Sequence, residues 1–468
     1  MTTSRGGAYR VEPDFAARQT ILWAIAWLVG AAALAVVLYG LLLVPGVTRA
    51  VPVLSYGRLH PVADTTLWFG WLGTAAFAAT YSILPRVTES QLQNEVLGSA
   101  TTLTWSVLLT AGIASLLVGL NQGRPLGELP SGVDLGLALM LVFVLYNAAA
   151  TVVRRREKTL FVSGWYLVAA ALLAPVIFVV GNLPLGRGVT DVIVSGFYQN
   201  GLVMLWFLPA GLAIAHYVVP VETGNPLYSI AVARAGFWSL VFAGGWTGQR
   251  YFLKGPGPDY LESIAVAMTF VLLVPVLSSV ANLFATARGR LHLLGQAFGL
   301  RFALVGLGLA AVWMALTAAY SVPFVSRYFG LTSTEAALRH LAGFGVFSAL
   351  AFALIYHAYP LMVGRDWYSR PLATFHFWAS IAGVAVATGG LLGAGAGQAG
   401  VLVASGGGGI AAALRAGAGL QRMFELETLI GAIVFAAAQL AFAFNTYRTS
   451  RAGPLVTFVG AARLETSV

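Results

Sequence analysis

The stretch ILWAIAWLVGAAALAVVLYGLLL, from Ile21 to Leu43, is an apolar run without a charged residue. About 20 apolar residues suffice for a helix to cross a hydrocarbon core about 30 Å thick. The run is also longer than the apolar part of a secretory signal peptide, which has about 7–15 residues. The sequence therefore predicts a transmembrane helix here that is retained in the mature protein.

The composition extends this conclusion to the whole chain. Of its 468 residues, 58% are hydrophobic and 9% are charged, and the mean hydropathy is +0.81, which is far from the composition of soluble domains. The lack of cysteine excludes disulfides, thiolate metal sites and cysteine nucleophiles, so a metal would need histidine, carboxylate or methionine ligands. The chain is predicted to be an all-α, polytopic membrane protein.

Twelve apolar runs are long enough to span the bilayer. They cover approximately residues 21–45, 64–86, 100–120, 134–153, 160–181, 196–220, 229–250, 262–285, 298–320, 336–360, 371–396 and 425–447. No internal repeat is detected among them. We expect residues 1–468 to form a single transmembrane domain of twelve helices.

The basic residues indicate how these helices are oriented. When successive connections are placed on alternate sides, one side receives Arg5, Arg10, Arg18, the run from Arg154 to Lys158, Arg288, Arg290, Arg365, Arg370, Arg448 and Arg451. By the positive-inside rule this side is cytoplasmic, so both tails, about 1–20 and 448–468, are predicted to be cytoplasmic. The arginines of these loops account for the net charge of +10. The sequence contains no basic run interleaved with aromatic residues, which is the pattern that would indicate nucleic-acid binding.

A glycine-rich segment, GAGAGQAGVLVASGGGGIAAALRAGAG, separates the last two runs. It contains Gly395, Gly397 and Gly400 in the spacing GxGxxG, which binds a dinucleotide only between a strand and a helix. Here the spacing follows an apolar helix. We therefore predict a flexible loop on the outer side, from about residue 393 to 420, and no nucleotide site.

Histidines are the first candidates for metal ligands in a chain without cysteine. The six histidines are His60, His216, His292, His340, His357 and His376. The sequence contains neither HExxH nor HxH, the local patterns typical of metal sites. Taken singly, each histidine is predicted to lie at an interface or to be hydrogen-bonded within the bundle.

Five stretches resemble subunit I of the cbb3-type, or C-family, haem-copper oxidases, which are related to the nitric oxide reductases. They are SYGRLHPVADTTLWFGWLGTAAFAATYSILPR (Ser55 to Arg86), VVPVETGNPLYS (Val218 to Ser229), GFWSLVFAGGWTG (Gly236 to Gly248), GRDWYSRPLATFHFW (Gly364 to Trp378) and FNTYRTSRAG (Phe444 to Gly453). They occur in the order found in the family. The resemblance implies the family's twelve-helix fold and a location in an inner membrane of bacterial type.

The chain departs from the family at the copper ligands that the resemblance implies. The family takes one histidine from the sixth helix and two adjacent ones after the seventh, and the matching positions here are Asn200, Arg250 and Tyr251. The tyrosine that the family cross-links to a copper ligand matches Gly244. No imidazole is thus left for copper.

The haem ligands implied by the resemblance are replaced in a similar way. The family holds its low-spin haem between two histidines, which match Ala63 and His340, and its high-spin haem on a histidine that matches Leu338. His340 is then the only one of six ligand histidines that remains. We expect no metal, haem or copper. The alternative is one b-type haem on His340, with His60 as the second ligand.

Arg250 is expected to take over the charge of the missing copper. It ends an apolar run, and its guanidinium would place a fixed positive charge in the former metal site. A carboxylate such as Glu262 would be its hydrogen-bond partner.

These substitutions favour a non-catalytic scaffold or pseudo-subunit of a larger respiratory or electron-transfer complex. The expected partners are other membrane subunits, among them a catalytic oxidase homologue or a cytochrome c-type subunit, and the lipid bilayer. Two alternatives stay open. One is a subunit that handles protons, quinone or lipid in the emptied core, past Thr80, Tyr81, Arg250 and Glu262. The other is an active oxidase or nitric oxide reductase subunit with relocated ligands.

Overall fold

The computed structural model describes residues 12–44, 46–47, 51–183, 188–253, 255, 257–404 and 410–455, with the backbone alone for 410–416. The outermost parts of both predicted tails lie outside these ranges. Within the ranges every regular element is helical, apart from one isolated bridge between Arg365 and Leu455. The predicted all-α fold class is confirmed.

Twelve main helices correspond to the twelve predicted runs. They are α1 (Phe15–Leu43), α2 (Tyr56–Val87), α3 (Glu95–Leu117), α4 (Ser131–Val153), α5 (Val162–Asn182), α6 (Val189–Thr223), α7 (Ile230–Ala243), α8 (Asp259–Thr286), α9 (Phe298–Ser321), α10 (Thr334–Val363), α11 (Arg370–Ala404) and α12 (Ile410–Ala452). In the described part of the chain, eleven of them are long and apolar enough to cross a membrane, whereas α7 has only 14 residues.

Helix α7 ends earlier than its apolar run predicts. It stops at Ala243, and the chain turns through two glycines into a short 3₁₀ helix, Gly248–Phe252. Glycine is a weak helix former, so the pair favours this break. The turn carries Gln249 and Arg250 into the interior, where both are buried. Arg250 therefore lies on a turn that enters the bundle and not at the end of a long apolar helix.

Helices α2, α6 and α10 occupy the centre of the bundle and are buried over almost their whole apolar length. Each contains a π-helical segment near its middle: Thr65–Gly73 in α2, Leu202–Phe207 in α6 and Leu341–Phe347 in α10. π-Helical segments are rare in proteins, and those that occur are often found at functional sites. The shared feature relates the three helices to one another.

An Asn-x3-Thr motif recurs on α4, α8 and α12 and anchors the residue before α3, α7 and α11. Each asparagine accepts from the backbone N–H and donates to the backbone carbonyl of one residue, at 2.9–3.0 Å. The pairs are Asn147 with Asn94, Asn282 with Ser229, and Asn445 with Ser369. In all three cases, the threonine four positions after the asparagine accepts a hydrogen bond from the backbone N–H of the residue just before the anchored one.

The recurring motif corrects the expectation that the chain has no internal repeat. It divides the bundle into three units of four helices, each with a buried second helix that contains a π segment. The Asn-x3-Thr spacing is the sequence signal that reveals the repeat.

The glycine-rich segment is helical where a loop is predicted. Helix α11 continues to Ala404 and α12 begins at Ile410. The prediction of a loop from about 393 to 420 is therefore wrong for most of this range, and the remaining part, 405–409, lies outside the described residues. The GxGxxG spacing falls inside α11, which excludes the strand-to-helix turn of a dinucleotide site.

Close packing between α11 and α12 explains why these glycines are helical. A Cβ on Gly431 would lie 2.7 Å from the carbonyl oxygen of Gly383 and would also overlap the backbone of Ala387. Inside the predicted loop, a Cβ on Gly393 would overlap the ring of Phe424 on α12, as a Cβ on Gly390 would overlap Thr428. Small residues allow such close backbone approach between membrane helices. The missing side chains thus serve a helix contact, which local sequence patterns interpret as flexibility.

The first and last described helices meet at one end of the bundle. Asp14, just before α1, forms an ion pair with Arg86 at the end of α2, at 3.0 Å. Arg365, just after α10, donates to the carbonyl of Gly453, just after α12. Helices α2 and α10 therefore begin at the opposite end, which is where the candidate site lies. The cytoplasmic location of the termini remains a prediction.

Replacing Asn445 with leucine is expected to destabilise the protein by about 1–3 kcal/mol, because the backbone groups of Ser369 lose their partner. The thermal midpoint of the purified chain in detergent would measure the effect. Phe444→Leu, at a mostly exposed neighbour, is the control and should change little. Equal midpoints for the two variants would contradict the anchoring role.

Gly431→Ala is expected to separate α11 from α12 and to destabilise the protein by about 1–3 kcal/mol, because the added methyl group overpacks the contact. Gly419→Ala, also on α12, is the matched control, since its Cβ would meet nothing within 4 Å. Alanine favours a helix over glycine by about 1 kcal/mol, so the control should be neutral or stabilising. A stabilising Gly431→Ala variant would argue against close packing.

Candidate functional site

The position that matches the helix-six copper ligand fixes a turn. Asn200 is fully buried on α6, and its Nδ2 donates to the carbonyl of Gly244 at 2.7 Å. Its Oδ1 accepts from Thr247 Oγ1, also at 2.7 Å. Both bonds hold the chain that leaves α7. The amide therefore links α6 to this turn.

Gly244, at the position of the cross-linked tyrosine, has no room for a side chain. A Cβ there would lie 2.5 Å from Leu205 Cδ2 and 2.9 Å from the carbonyl oxygen of Leu240. Contacts this short require the surrounding backbone to move. A tyrosine at this position is thus incompatible with the local packing.

Arg250 and Tyr251 lie side by side on the 3₁₀ helix that follows α7. Arg250 is only 8% exposed, and its Nη2 donates to Tyr251 Oη at 2.7 Å. The guanidinium carbon also lies 4.5 Å from the centre of the Tyr251 ring, a cation–π distance. Arg250 Nε has no hydrogen-bond partner among the described residues. Buried donors of this kind are nearly always hydrogen-bonded to protein or to ordered water.

The expected pairing of Arg250 with Glu262 is not formed. Glu262 lies in the first turn of α8 and is half-buried, but the ion pairs among the described residues do not include these two. The turn after α7 places Arg250 beside α9 and α10, and the charge substitution by Arg250 and Glu262 stays a prediction. Glu335, on the first turn of α10, is the carboxylate that shares a cavity with it.

A small cavity lies where the matched haem and copper positions meet. Its volume is about 30 Å³, and it is lined by residues of α2, α6, α9, α10 and the turn after α7. Leu338 and Arg250, two of the replaced ligand positions, both face it. Sites for cofactor-sized ligands measure about 300–1,000 Å³. The structure thus brings these two predicted positions together around a space that holds only a few small atoms.

Aromatic rings fill the centre of the bundle below this cavity. The π segments of α2, α6 and α10 contribute Trp68, Phe207 and Phe347, whose ring centres lie 5.4–6.2 Å from one another. Trp206 stacks on Phe207 at 4.6 Å, and Trp313 packs edge-on against Phe347 at 5.6 Å. All five side chains are buried. These rings form a continuous packed layer between the three central helices.

The residues present do not fit a high-spin haem with copper. Leucine has no donor atom for iron, the buried amide of Asn200 is bonded to the turn, and Arg250 carries a positive charge. Across the described ranges, no three His, Asp or Glu side chains are grouped to hold a metal ion. The alternative with relocated ligands gains no support from this arrangement.

His340 offers one donor for a low-spin haem. Its Nδ1 lies 3.1 Å from Tyr39 Oη, and its buried Nε2 has no partner in the described part of the chain. Ala63, at the matching position on α2, supplies no second ligand. His60 lies one turn earlier in α2, where its ring is partly exposed and packs on Tyr56 at 5.2 Å. The fit to a bis-histidine haem is thus incomplete.

A charged group not singled out in the sequence connects these two histidines. Arg339 Nη2 donates to Asp64 Oδ2 at 2.7 Å, and His60 Nδ1 lies 3.8 Å from the same oxygen. Arg339 directly precedes His340, and Glu335 lies one turn before it. The sequence contained a signal for a charged group here, because Glu335 and Arg339 are four residues apart and therefore lie on one face at the start of α10.

Two further histidines belong to the packed interior. His376 is buried, its two ring nitrogens are bonded to Tyr356 and Gln439 at 3.0 and 3.1 Å, and its ring stacks on Phe442. His216 is also fully buried on α6, and its Nδ1 lies 2.8 Å from the carbonyl of Leu212. Both fit the expectation of histidines hydrogen-bonded within the bundle.

Glu128, on the connection between α3 and α4, is a buried carboxyl beside the charged cluster. Burial, reinforced by the nearby Asp64 carboxylate, raises its pKa from 4.5 to about 8. Between these two values the folded protein holds a proton that the unfolded chain has released. Stability conferred through this group is therefore lost as the pH rises towards about 8.

Glu128→Gln is expected to flatten the fall in thermal midpoint over this pH range and to stabilise the protein at higher pH. The measurement is the thermal midpoint of both proteins from about pH 5 to 9. Glu89→Gln removes an exposed carboxyl and controls for the loss of one charge. Parallel pH profiles for wild type and Glu128→Gln would show that Glu128 is not protonated in the fold.

Comparison with known proteins shows to which family the chain belongs. The sequence profile described as cytochrome c and quinol oxidase polypeptide I matches residues 15–402. The chain is 26% identical to cbb3-type cytochrome c oxidase subunit CcoN1 of Stutzerimonas stutzeri, over 99% of both chains. It is 24% identical to cytochrome c oxidase subunit 1 of Rhodobacter capsulatus, over 71% of this chain and 65% of that protein.

The fold is similar to a solved structure of a haem-copper terminal oxidase dimer determined by cryo-electron microscopy. The TM-score is 0.70 with 13% sequence identity, over 94% of this chain and 85% of that one. The similarity shows a shared fold, in agreement with the arrangement of twelve helices described above. The chain belongs to the family of haem-copper oxidase subunit I, the cytochrome c and quinol oxidase polypeptide I.

Proposed function

We propose that this chain is a non-catalytic member of its family that contains neither haem nor copper and serves as a membrane subunit of a larger respiratory complex. The observation that carries the proposal is the cavity of about 30 Å³ at the matched metal site, bordered by Leu338 and Arg250. Reduction of oxygen or nitric oxide on this fold needs a haem iron and a second metal next to it. Neither has a ligand set here.

Retention of the whole scaffold supports a role in assembly. The match to CcoN1, a subunit of a cbb3-type oxidase, covers 99% of both chains, which supports retention of the fold over the length of that relative. A twelve-helix bundle offers partner subunits a large lipid-facing surface. The proposed partners are other membrane subunits, such as a catalytic oxidase homologue or a cytochrome c-type subunit, in a bacterial inner membrane.

Conduction through the core is less well supported. The hydroxyl of Thr80 donates to the carbonyl of Ala76, and the cavity beside it measures about 10 Å³. Its walls are alanine and aromatic side chains, with Trp206 among them. A quinone does not fit this space, and the aromatic layer separates it from Arg250. No observation in the core favours this second function.

The test is a reduced-minus-oxidised and pyridine-haemochrome spectrum of the purified chain, with metal analysis of the same sample. We expect no stoichiometric haem or copper, together with co-purification of other membrane subunits. The CcoN1 relative, a cbb3-type cytochrome c oxidase subunit, purified in the same way, is the positive control. Stoichiometric haem and copper in this chain would overturn the proposal.

One outcome of this experiment requires two further variants. A single b-type haem without copper would mean that His340 still binds iron. His340→Ala would then abolish the spectrum, while His60→Ala would show whether His60 is the second ligand. Such a result would replace the cofactor-free proposal with an electron-transfer subunit.

A further inference from the structure

The cavity beside Arg250 contains two buried polar atoms that lack a partner. Arg250 Nε and Thr317 Oγ1 both lack a hydrogen bond within the described residues, and both side chains line this cavity. Thr317 lies on α9 and is only 1% exposed. Buried polar groups in native proteins are nearly always bonded to protein or to ordered water. Two such atoms facing one space indicate a bound polar occupant.

The size of the cavity limits this occupant. A volume of about 30 Å³ exceeds the roughly 10–15 Å³ needed for one water, so it accommodates about two. It is too small for a haem, a quinone or a lipid headgroup. The occupant must accept a hydrogen bond from Arg250 Nε.

The charges around the cavity distinguish water from an anion. Arg250 and Glu335 both face the space, yet they form no ion pair with each other in the described part of the chain. The second arginine of the cavity, Arg339, is already paired with Asp64 at 2.7 Å. The four side chains thus carry two positive and two negative formal charges. An added anion would be repelled by Glu335, whereas water accepts from Arg250 and donates to a carboxylate.

We propose that ordered water fills this cavity and bridges Arg250 to Glu335, with Thr317 as a further partner. The inference deepens the proposed function and rests on it, since a metal at this position would exclude the water. The bridged pair joins the turn after α7 to the first turn of α10, and so closes the end of the former metal site. An unpaired charge buried at this place would be strongly destabilising.

A double-mutant cycle tests the bridge. Arg250→Met and Glu335→Gln are each expected to lower the thermal midpoint by about 2 °C or more, and the double variant by less than the sum. Arg327→Met, at an exposed arginine, combined with Glu335→Gln, is the matched control and should be additive. An additive Arg250–Glu335 cycle would overturn the bridge.

A milder variant and the wild-type protein keep the test informative if Arg250→Met fails to fold. Thr317→Val removes only the hydroxyl group and should lower the midpoint slightly. A high-resolution cryo-electron microscopy map of the wild type should show one or two waters between Arg250 and Glu335. A map with an empty cavity or with direct contact between the two side chains would refute the proposal.

Two further readouts separate the possible failures. Replacement of chloride by gluconate should leave the midpoint unchanged, and a chloride-dependent midpoint would mean that an anion is the occupant. Metal analysis of the same sample separates this inference from the proposed function. Copper in the sample overturns both, whereas a metal-free sample with an additive cycle overturns the bridge alone.

Discussion

The contact among Trp68, Phe207 and Phe347 is the interaction on which the centre of this structure depends. Each ring comes from the π segment of one central helix, so the three rings set how closely α2, α6 and α10 approach. Protein interiors are packed about as densely as organic crystals, so the space between helices is filled by side chains. In this chain the aromatic layer provides that filling between the three central helices.

Polar side chains that fix the connections between helices lie at both ends of this centre, and each end solves the same physical problem. Backbone groups at membrane depth need partners inside the protein. At the end with the termini, three asparagines satisfy the connections before α3, α7 and α11. At the opposite end, Asn200 fixes the turn after α7, and Arg339 is paired with Asp64. The turn after α7 places Arg250 beside the small cavity.

Local sequence patterns predict well what depends on local chemistry. Hydropathy alone indicates the all-α class and the twelve runs, because about 20 apolar residues per helix is a requirement of the bilayer. The lack of donor atoms at Leu338 and Ala63 is likewise visible in the sequence once the family pattern is matched. The early end of α7, the surroundings of Arg250 and the helical conformation of residues 393–404 are not predicted. The surroundings of Arg250 and the packing of α11 against α12 depend on side chains from distant parts of the chain.

The sequence by itself determined that this chain is a polytopic membrane protein of helices, and its resemblance to the family predicts that most of the metal-ligand histidines are replaced. Only the tertiary structure decided what occupies the space of the ligands. The glycines between about 393 and 420 indicate flexibility until Gly393 is seen against Phe424 of α12. The sequence suggests Glu262 as the partner of Arg250, whereas the turn after α7 places Arg250 in one cavity with Thr317 and Glu335. The physical reason is that close packing and charge pairing act between residues that are neighbours in space, which local periodicity does not encode.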